Sequence, residues 1–279
     1  GVKGTYRDLK NVVDDTCPDI FNGNCYIVNA GKGNTFWVKQ DDGSYEKVSY
    51  TADQLGMPKA KRNYYALDFY LEHPFSDKWS AKFLYTFSKS YGNTEGPVNS
   101  DRASSADSGF NDSTSTTQDY DKTLLMERAN GYLNNDRRHQ LKAYGTYQFN
   151  DEWSLGGSMS AVSGRPVNCY AHYPTKLPSY DSAYYFYCGV SGTDAFKTTW
   201  RGSEGRSPWL VTFNLGVRYS PQWAQGLKLS VDVMNVLDTR TAVIYNTQST
   251  SSRTAINKLW MQPDYNDPRT VTFSASYEF

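Results

Sequence analysis

The stretch Asp267–Phe279, DPRTVTFSASYEF, is the last part of the chain, and its apolar and polar side chains alternate. The apolar side of the stretch consists of Val271, Phe273, Ala275, Tyr277 and Phe279. Alternation with a period of two predicts a β-strand that has one apolar and one polar face. Because chain termini usually fray in water, an amphipathic strand that finishes on an aromatic ring predicts a terminus held within a sheet and beside an apolar phase.

The composition combines a polar average with many aromatic residues. The 279 residues include 29 Lys and Arg against 29 Asp and Glu, so the formal net charge is zero and the electrostatic case for a nucleic-acid partner is absent. Mean hydropathy is −0.68, yet 15% of the residues are aromatic. Two explanations fit this pairing: a tyrosine-rich recognition surface, or aromatic belts at a membrane–water interface.

Period-two alternation recurs along the chain, while helical periodicity is almost absent. The predicted strands are Val2–Asp8, Arg62–Glu72, Trp79–Ser90, Arg138–Phe149, Trp153–Ser163, Trp209–Tyr219, Leu227–Asn235 and Thr270–Phe279. Most have the ~9–11 residues that cross a bilayer as a tilted strand. The predicted fold class is therefore all-β, a transmembrane antiparallel β-barrel.

The connections between these strands alternate in length. The short connections are HPFSDK, NDE and SPQWAQG; the long ones are Leu9–Lys61, Tyr91–Arg137, Gly164–Pro208 and Val236–Arg269. Short turns at one end and long loops at the other are typical of an outer-membrane barrel, with the turns periplasmic and the loops extracellular. We expect the long loops to be aqueous, and Asn34–Tyr50 to form a hairpin that turns at Asp42 and Gly43.

One short turn occurs twice, as FSDKWS at Phe75–Ser80 and FNDEWS at Phe149–Ser154. Its aromatic residues would lie level with each other at one membrane interface. Trp223 in the third short turn extends the same belt. We therefore expect Trp79, Trp153 and Trp223 in one plane at the periplasmic side, with Phe279 close to it.

The four cysteines form two local pairs. Cys17 and Cys25 enclose one short segment, Cys169 and Cys188 enclose another, and neither pair has metal-ligand spacing with histidine support. We predict two loop disulfides and an oxidising compartment; four free thiols are the alternative. The sequence also lacks the common metal, phosphate-loop and nucleophile motifs, so we expect no metal, no cofactor and no enzymatic activity.

Two sets of residues are candidates for ligand binding. The tyrosine-rich stretch offers Tyr180, Tyr184, Tyr185 and Tyr187, which give large contact area at low entropic cost. Packing within a disulfide-closed loop is an equal alternative. Arg218 and Asp232 lie on the polar side of predicted strands and could touch a ligand in the barrel lumen. Their alternative is cross-strand pairing and hydration inside a wet barrel.

Two C-terminal motifs resemble those of the TonB-dependent outer-membrane transporters. VDVMNVLDTRTAVIYN is similar to the family's penultimate-strand motif, Asn-Leu-Phe-Asp followed by Tyr, and DPRTVTFSASYEF is similar to its last strand. The matching positions are Asn235, Leu237, Asp238, Tyr245, Pro268, Arg269 and Phe279. Val-Leu replaces Leu-Phe in the first motif, and the second lacks the family's glycine. NDRRHQLKAYGTYQF and SGRPVN also resemble barrel strands of the family's Oar-like members.

The resemblance implies that residues 1–279 are the C-terminal part of a barrel domain, about the last eight of 22 strands, without the plug domain. It implies the outer membrane of a Gram-negative bacterium as location, and active import of a scarce extracellular ligand as function. The implied partners are membrane lipid, TonB through the missing plug, and the rest of the transporter as another chain or a nicked half.

Other interpretations stay open at this point. The main alternative is a complete eight-stranded barrel with a structural or adhesive role, and a further one is a secreted carbohydrate-binding β-domain. A fragment of the larger barrel predicts that Val2–Asp8 does not pair with Thr270–Phe279, whereas a small closed barrel requires that pairing. The ligand itself is undetermined: siderophore, vitamin, glycan, peptide and protein all fit.

Overall fold

A computed structural model describes residues 1–21, 24–96, 119–177, 183–190, 195–245, 247–251, 254–255 and 264–279. Tyr180 and part of the second long loop lie outside these residues. The first strands in chain order are β1 Val2–Asp8, β2 Val13–Thr16, β3 Tyr26–Asn29, β4 Asn34–Lys39, β5 Tyr45–Tyr50, β6 Arg62–Ser76, β7 Trp79–Gly92 and β8 Gly131–Tyr132. The others are β9 His139–Gln148, β10 Trp153–Val162, β11 Tyr187–Gly189, β12 Phe196–Thr198, β13 Leu210–Tyr219, β14 Leu227–Met234, β15 Ala242–Ile244, β16 Thr250–Ser251, β17 Thr254–Ala255, β18 Asp264–Tyr265 and β19 Thr270–Tyr277.

Helical structure in the described residues is short: an α-helix at Ala52–Leu55 and 3₁₀ turns at Asp19–Phe21 and Thr123–Met126. The α-helix starts with a capping box formed by Thr51 and Gln54 and ends at Gly56 in the left-handed conformation. Among these segments, none has the length and apolarity that a membrane-crossing helix needs.

One antiparallel sheet runs in the order β1-β6-β7-β9-β10-β13-β14-β19, and β8 adds to the end of β7. All eight predicted strands are confirmed, with bounds close to those predicted apart from β6. This strand continues to Ser76 because Asp77 and Lys78, both at positive φ, form a two-residue turn where a longer turn was expected. In the described residues no ladder joins β1 to β19, and these strands form the two edges of the sheet.

The strand register gives the sheet one apolar and one polar face. On one face Phe273 pairs with Val231, and Val231 with Val217. On the other face Thr272 pairs with Asp232, which pairs in turn with Gly216. Because directly paired residues point to the same side of a sheet, the predicted alternation holds across several strands. We call these the apolar face and the polar face.

The turn tryptophans gather at one end of the sheet. Trp153 pairs with Tyr219, and their rings stack at 4.3 Å between centroids. Trp79 pairs with Tyr147, which pairs with Leu155, two residues along the strand from Trp153. Trp223 lies in the third short turn and is 78% exposed. The clustering of turn aromatics at one end agrees with the predicted belt, and the long loops start from the opposite end.

The long loops contain the main buried core of the described residues, in contrast to the aqueous loops expected. The core combines residues from the first, second and third long loops: Val12, Phe21, Phe36, Leu55, Tyr120, Met126, Tyr170 and Phe186. The expectation was wrong for these segments because the apolar residues are far apart in sequence and show no strand or helix period. We call this packed unit the loop cap.

Two local predictions within the loops are confirmed. Strands β4 and β5 pair as a hairpin, and the Ser44 backbone N–H donates to Oδ1 of Asp42 at 2.9 Å in its turn. The turn places Gly43 at φ 83°, a conformation that favours glycine. Both disulfides, Cys17–Cys25 and Cys169–Cys188, are formed, and each closes a segment of the loop cap.

Candidate functional site

A depression on the polar face brings the predicted pair Arg218 and Asp232 together. It forms where Gly156 of β10 pairs with Gly216 of β13, because neither residue projects a side chain into the space. Its volume is about 260 Å³, and its polar lining comprises Thr146, Ser154, Ser158, Asn214, Arg218 and Asp232. We call this depression the glycine niche.

Hydrogen bonds between side chains connect several polar residues around the niche. Asn214 Nδ2 donates to Ser158 Oγ at 3.1 Å, and Ser230 Oγ donates to Asp232 Oδ2 at 3.3 Å. Arg218 is exposed, and its side chain forms no hydrogen bond or ion pair with another described residue. The cross-strand alternative is thus realised between Asn214 and Ser158, the Asp232 contact lies within β14, and the Arg218 guanidinium is available to an anion or a carbonyl.

The tyrosine-rich stretch lies in the loop cap. Tyr185 is only 2% exposed, and its backbone bonds to Ala171 in both directions. Tyr184 packs against His172 at 4.5 Å between ring centroids, and the Arg128 guanidinium lies 4.5 Å from the Tyr187 ring. The stretch contributes to packing around the Cys169–Cys188 disulfide, as the packing alternative supposed. A ligand-binding role for these tyrosines stays a prediction.

The tyrosines and the glycine niche are far apart along the barrel wall. Arg218 lies next to the turn-side end of β13, whereas the loop cap follows the opposite end at Leu210. Eight residues of strand at ~3.3 Å each separate these positions by about 26 Å. The candidate residues therefore form two sites, one in the cap and one on the wall.

A buried ion pair that sequence analysis missed ties two long loops together. Arg201 Nη2 lies 2.5 Å from Asp119 Oδ1, and Arg201 Nε donates to the Ala129 carbonyl at 2.6 Å. Arg201 is 3% exposed, and its guanidinium lies 5.1 Å from the Phe186 ring. Burial raises the pKa of the Asp119 carboxyl, against the opposing effect of the Arg201 charge. Since 82 positions separate the partners, no local sequence signal marks them.

The two motifs that carry the family resemblance meet in space. Asn235, directly after β14, is 5% exposed and adopts φ 49°. Its Nδ2 donates to the carbonyls of Thr239 at 3.0 Å and Asp267 at 3.1 Å. Its Oδ1 accepts from the Thr239 backbone N–H at 3.0 Å and from the Thr239 hydroxyl at 2.9 Å. Asn235 therefore fastens the exit of β14 to the entry of β19.

Asp238 completes this clamp from the other side. Its Oδ1 accepts from the backbone N–H of Arg269 at 3.1 Å, and the Arg269 guanidinium lies 3.8 Å from its Oδ2. Of the remaining motif residues, Leu237 is 61% exposed and Phe279 is fully exposed with its ring 5.2 Å from Tyr277. The clamp residues stabilise the junction between the last two strands of the sheet.

Comparison with known proteins supports the resemblance. The chain is 28% identical, over 245 residues, to the TonB-dependent transporter Oar of Myxococcus xanthus. The chain is related to the TonB-dependent transporters. The match covers 85% of the chain but 19% of the Oar protein, so the chain spans about a fifth of this curated relative's length. No family model matches the chain.

Solved structures of similar fold include the ferric-catecholate import receptor Fiu from Escherichia coli, at 14% identity and a TM-score of 0.47, covering 100% of this chain and 25% of that one. Another is the outer membrane transporter YddB from Escherichia coli, at 14% identity and a TM-score of 0.49, covering 100% of this chain and 30% of that one. The two-faced antiparallel sheet and the relationship to Oar confirm the predicted fold class and outer-membrane location. The number of 22 strands stays a prediction.

Proposed function

We propose that this chain is part of the barrel wall and loop cap of a TonB-dependent transporter that binds and imports a scarce extracellular ligand. The observation that carries the proposal is the similarity to Oar over 85% of the chain, together with the division of the sheet into an apolar and a polar face. The apolar face contacts lipid, and the polar face lines the path of the ligand.

The two sheet edges support a larger barrel. In the described residues β1 pairs only with β6, and β19 pairs only with β14. Unpaired backbone groups in lipid cost several kcal/mol each, so both edges need partner strands. These strands come from the rest of the transporter, in the same particle as another chain or a nicked half, and TonB acts through the plug of that assembly.

Uptake by intact cells tests this proposal. Cells that carry the whole transporter are grown in limiting medium, and the compounds removed from the medium are compared with and without this protein. We expect at least one compound to be depleted only when both this protein and TonB are present. Depletion that does not depend on TonB would contradict energy-coupled import.

Variants of the glycine niche test whether the polar face takes part in uptake. Arg218→Ala should slow uptake because it removes a guanidinium that is free among the described residues. Lys228→Ala is the matched control, since Lys228 also lies on the polar face but pairs with Glu278 at 2.7 Å near the short turns. If both variants took up the ligand at the same rate, Arg218 would have no role in uptake.

Intact mass separates the proposal from a complete small barrel. Thr5 in β1 and Ser274 in β19 both lie on the polar face. A particle from the native membrane with a mass near 31.6 kDa, together with a disulfide cross-link between cysteines introduced at these two positions, would favour the small barrel. A larger particle without that cross-link is the expected result.

A further inference from the structure

On one side of β7, a row of apolar side chains is followed at the loop-side end of the strand by a lysine and a tyrosine. From the short turn upward, this side of the strand carries Trp79, Ala81, Phe83, Tyr85, Phe87, Lys89 and Tyr91. Lys89 therefore follows an apolar stretch that begins at a turn tryptophan. Such a sequence of side chains on one face indicates the crossing of an apolar layer from one interface to the other.

The height of Lys89 agrees with this interpretation. Ten residues separate Trp79 from Lys89, which is about 33 Å of strand at ~3.3 Å per residue. A tilt of ~40° reduces this length to about 25 Å along the barrel axis, equal to the height of the apolar band of outer-membrane barrels. Lys89 thus lies at the level of the headgroups on the extracellular side.

The burial pattern places Lys89 on the outside of the wall. Its neighbours Ser88 and Ser90 point to the opposite side and are 3% and 2% exposed, because the loop cap covers that side. Lys89 and Tyr91 are partly exposed. The cap therefore folds over the polar face, and the Lys89 ammonium is on the face that continues the lipid-contacting surface.

Three cations surround one ring at this position. The Lys89 Nζ lies 5.5 Å from the centroid of the Tyr132 ring, and the guanidinium carbons of Arg138 and Arg206 lie 5.2 Å and 5.7 Å from it. We call Lys89, Tyr132, Arg138 and Arg206 the Tyr132 cluster. Cation–π contacts hold the three charges close together, so the cluster presents concentrated positive charge.

One buried carboxylate balances part of this charge. Asp136 bonds to Arg206 and lies 3.0 Å from Arg138 through its Oδ2, and it accepts from the Ser90 N–H through its Oδ1. Lys89 forms no ion pair with any described residue. With three cations and one carboxylate the cluster keeps an excess of about two positive charges, which an external anion can neutralise.

A further arginine side chain close to the cluster adds positive charge. Arg137 precedes β9, and burial, with the nearby charges of Arg165 and Arg206, lowers the pKa of its guanidinium. Crowding of this kind indicates a locally positive potential at the loop-side rim of β7, β9, β10 and β13. An apolar and aromatic surface lies directly below the rim, where His139 stacks against Trp209 at 5.9 Å between ring centroids.

We propose that the Tyr132 cluster binds a phosphate group of a phosphorylated glycolipid in the outer leaflet. Guanidinium and ammonium groups at headgroup height match the phosphate in charge and hydrogen bonding. The surface below, with Phe87, His139 and Trp209, accommodates the acyl chains. This combination of charge above and apolar surface below favours a lipid over a soluble anion.

Lipid retention by the intact transporter tests the site. The protein is purified in mild detergent from its own outer membrane, and bound phosphorylated lipid A is counted by native mass spectrometry. Lys89→Gln should reduce the retained lipid about fivefold, the effect of one surface cation near an anionic membrane. Lys142→Gln is the matched control, because Lys142 lies on the polar face of β9 and should leave retention unchanged.

Lys89→Gln is the informative variant because Lys89 has no ionic partner among the described residues. Substitution of Arg138 or Arg206 would also remove an ionic partner of the buried Asp136. Equal retention by Lys89→Gln and the wild type would overturn the proposal.

A second measurement distinguishes the lipid from a free anion. The melting temperature of delipidated protein is followed with bisphosphorylated lipid A, with dephosphorylated lipid A, and with inorganic phosphate. We expect stabilisation by the first ligand alone, reduced in Lys89→Gln. If inorganic phosphate stabilised the protein as much as bisphosphorylated lipid A, the cluster would be an anion site without lipid specificity. If dephosphorylated lipid A did so, the contact would be purely apolar. Either result refutes the proposal.

Discussion

Replacement of Asn235 by alanine should loosen the junction between β14 and β19. The Asn235 side chain makes four hydrogen bonds to Thr239 and Asp267 and is almost fully buried. Alanine removes all four bonds and leaves the partly buried carbonyl, N–H and hydroxyl groups of Thr239 and Asp267 without this partner. It also places a residue with poor left-handed preference at φ 49°, which costs about 1 kcal/mol.

The expected loss is about 3 kcal/mol of local opening free energy. Four bonds at ~0.5–1.5 kcal/mol each bound the hydrogen-bonding effect at about 2–6 kcal/mol. The true effect lies towards the lower end because water reaches part of the opened junction and because bonds that share one residue are not additive. A loss of this size corresponds to roughly hundredfold faster amide exchange in the junction.

Hydrogen exchange of the intact transporter measures this change at Thr239 and at Asp267–Thr270. Asn235→Gly removes the same bonds without the left-handed penalty, so its effect should be smaller by about 1 kcal/mol. Asn235→Asp retains an acceptor for Thr239 and should be the mildest of the three. Leu237→Ala controls for substitution near the junction at an exposed side chain. If Asn235→Ala exchanged no faster than Leu237→Ala, the clamp would have no energetic role.

Two further predictions concern the wall and the cap. Phe273→Lys should destabilise the protein in lipid by roughly 2–4 kcal/mol because it places a charge on the lipid face, whereas Ser274→Lys lies on the wet polar face and should be tolerated. Denaturant titration in bilayers measures the loss of unfolding free energy for both variants. Equal losses would contradict the assignment of faces. Joint replacement of Cys169 and Cys188 by alanine should destabilise the loop cap by about 3 kcal/mol. Proteolysis of the loop cap should become faster while the strands stay protected. If the loop cap of the variant were cleaved no faster than that of the wild type, packing alone would hold this loop.

The wall could be predicted from the sequence because each strand carries its own signal. In β7 the side chains from Trp79 to Phe87 alternate within one segment, and membrane crossing fixes the segment length. The turns are local as well, since Asn150 Oδ1 accepts from the backbone N–H groups of Glu152 and Trp153 in the second short turn. Only the end of β6 was wrong, because the left-handed Asp77-Lys78 pair lacks the glycine that usually marks a tight hairpin.

The cap could not be predicted because its contacts join distant segments. Tyr120 is completely buried and donates to Asn93 at 3.2 Å, and Asn93 in turn accepts from the Lys61 backbone N–H at 2.7 Å. Burial raises the pKa of the Tyr120 phenol. Nothing within a window of ten or twenty residues distinguishes such a tyrosine from the exposed tyrosines of the wall. Within the loops, the disulfides and the β4–β5 hairpin could be predicted, because each joins residues that are close in sequence.

The difference between wall and cap also bears on ligand recognition. A wall residue such as Arg218 is positioned by a ladder of backbone hydrogen bonds that continues across the sheet, so its position on the polar face is insensitive to changes in the loops. A cap residue such as Tyr184 is positioned by the packing of three long loops and by one disulfide. Substitutions in the cap core therefore shift many potential ligand contacts together, whereas substitutions at the glycine niche act singly. The cap core can therefore change while the wall keeps its register, because the Asn235 clamp and the strand ladders are formed by the strands and their junctions.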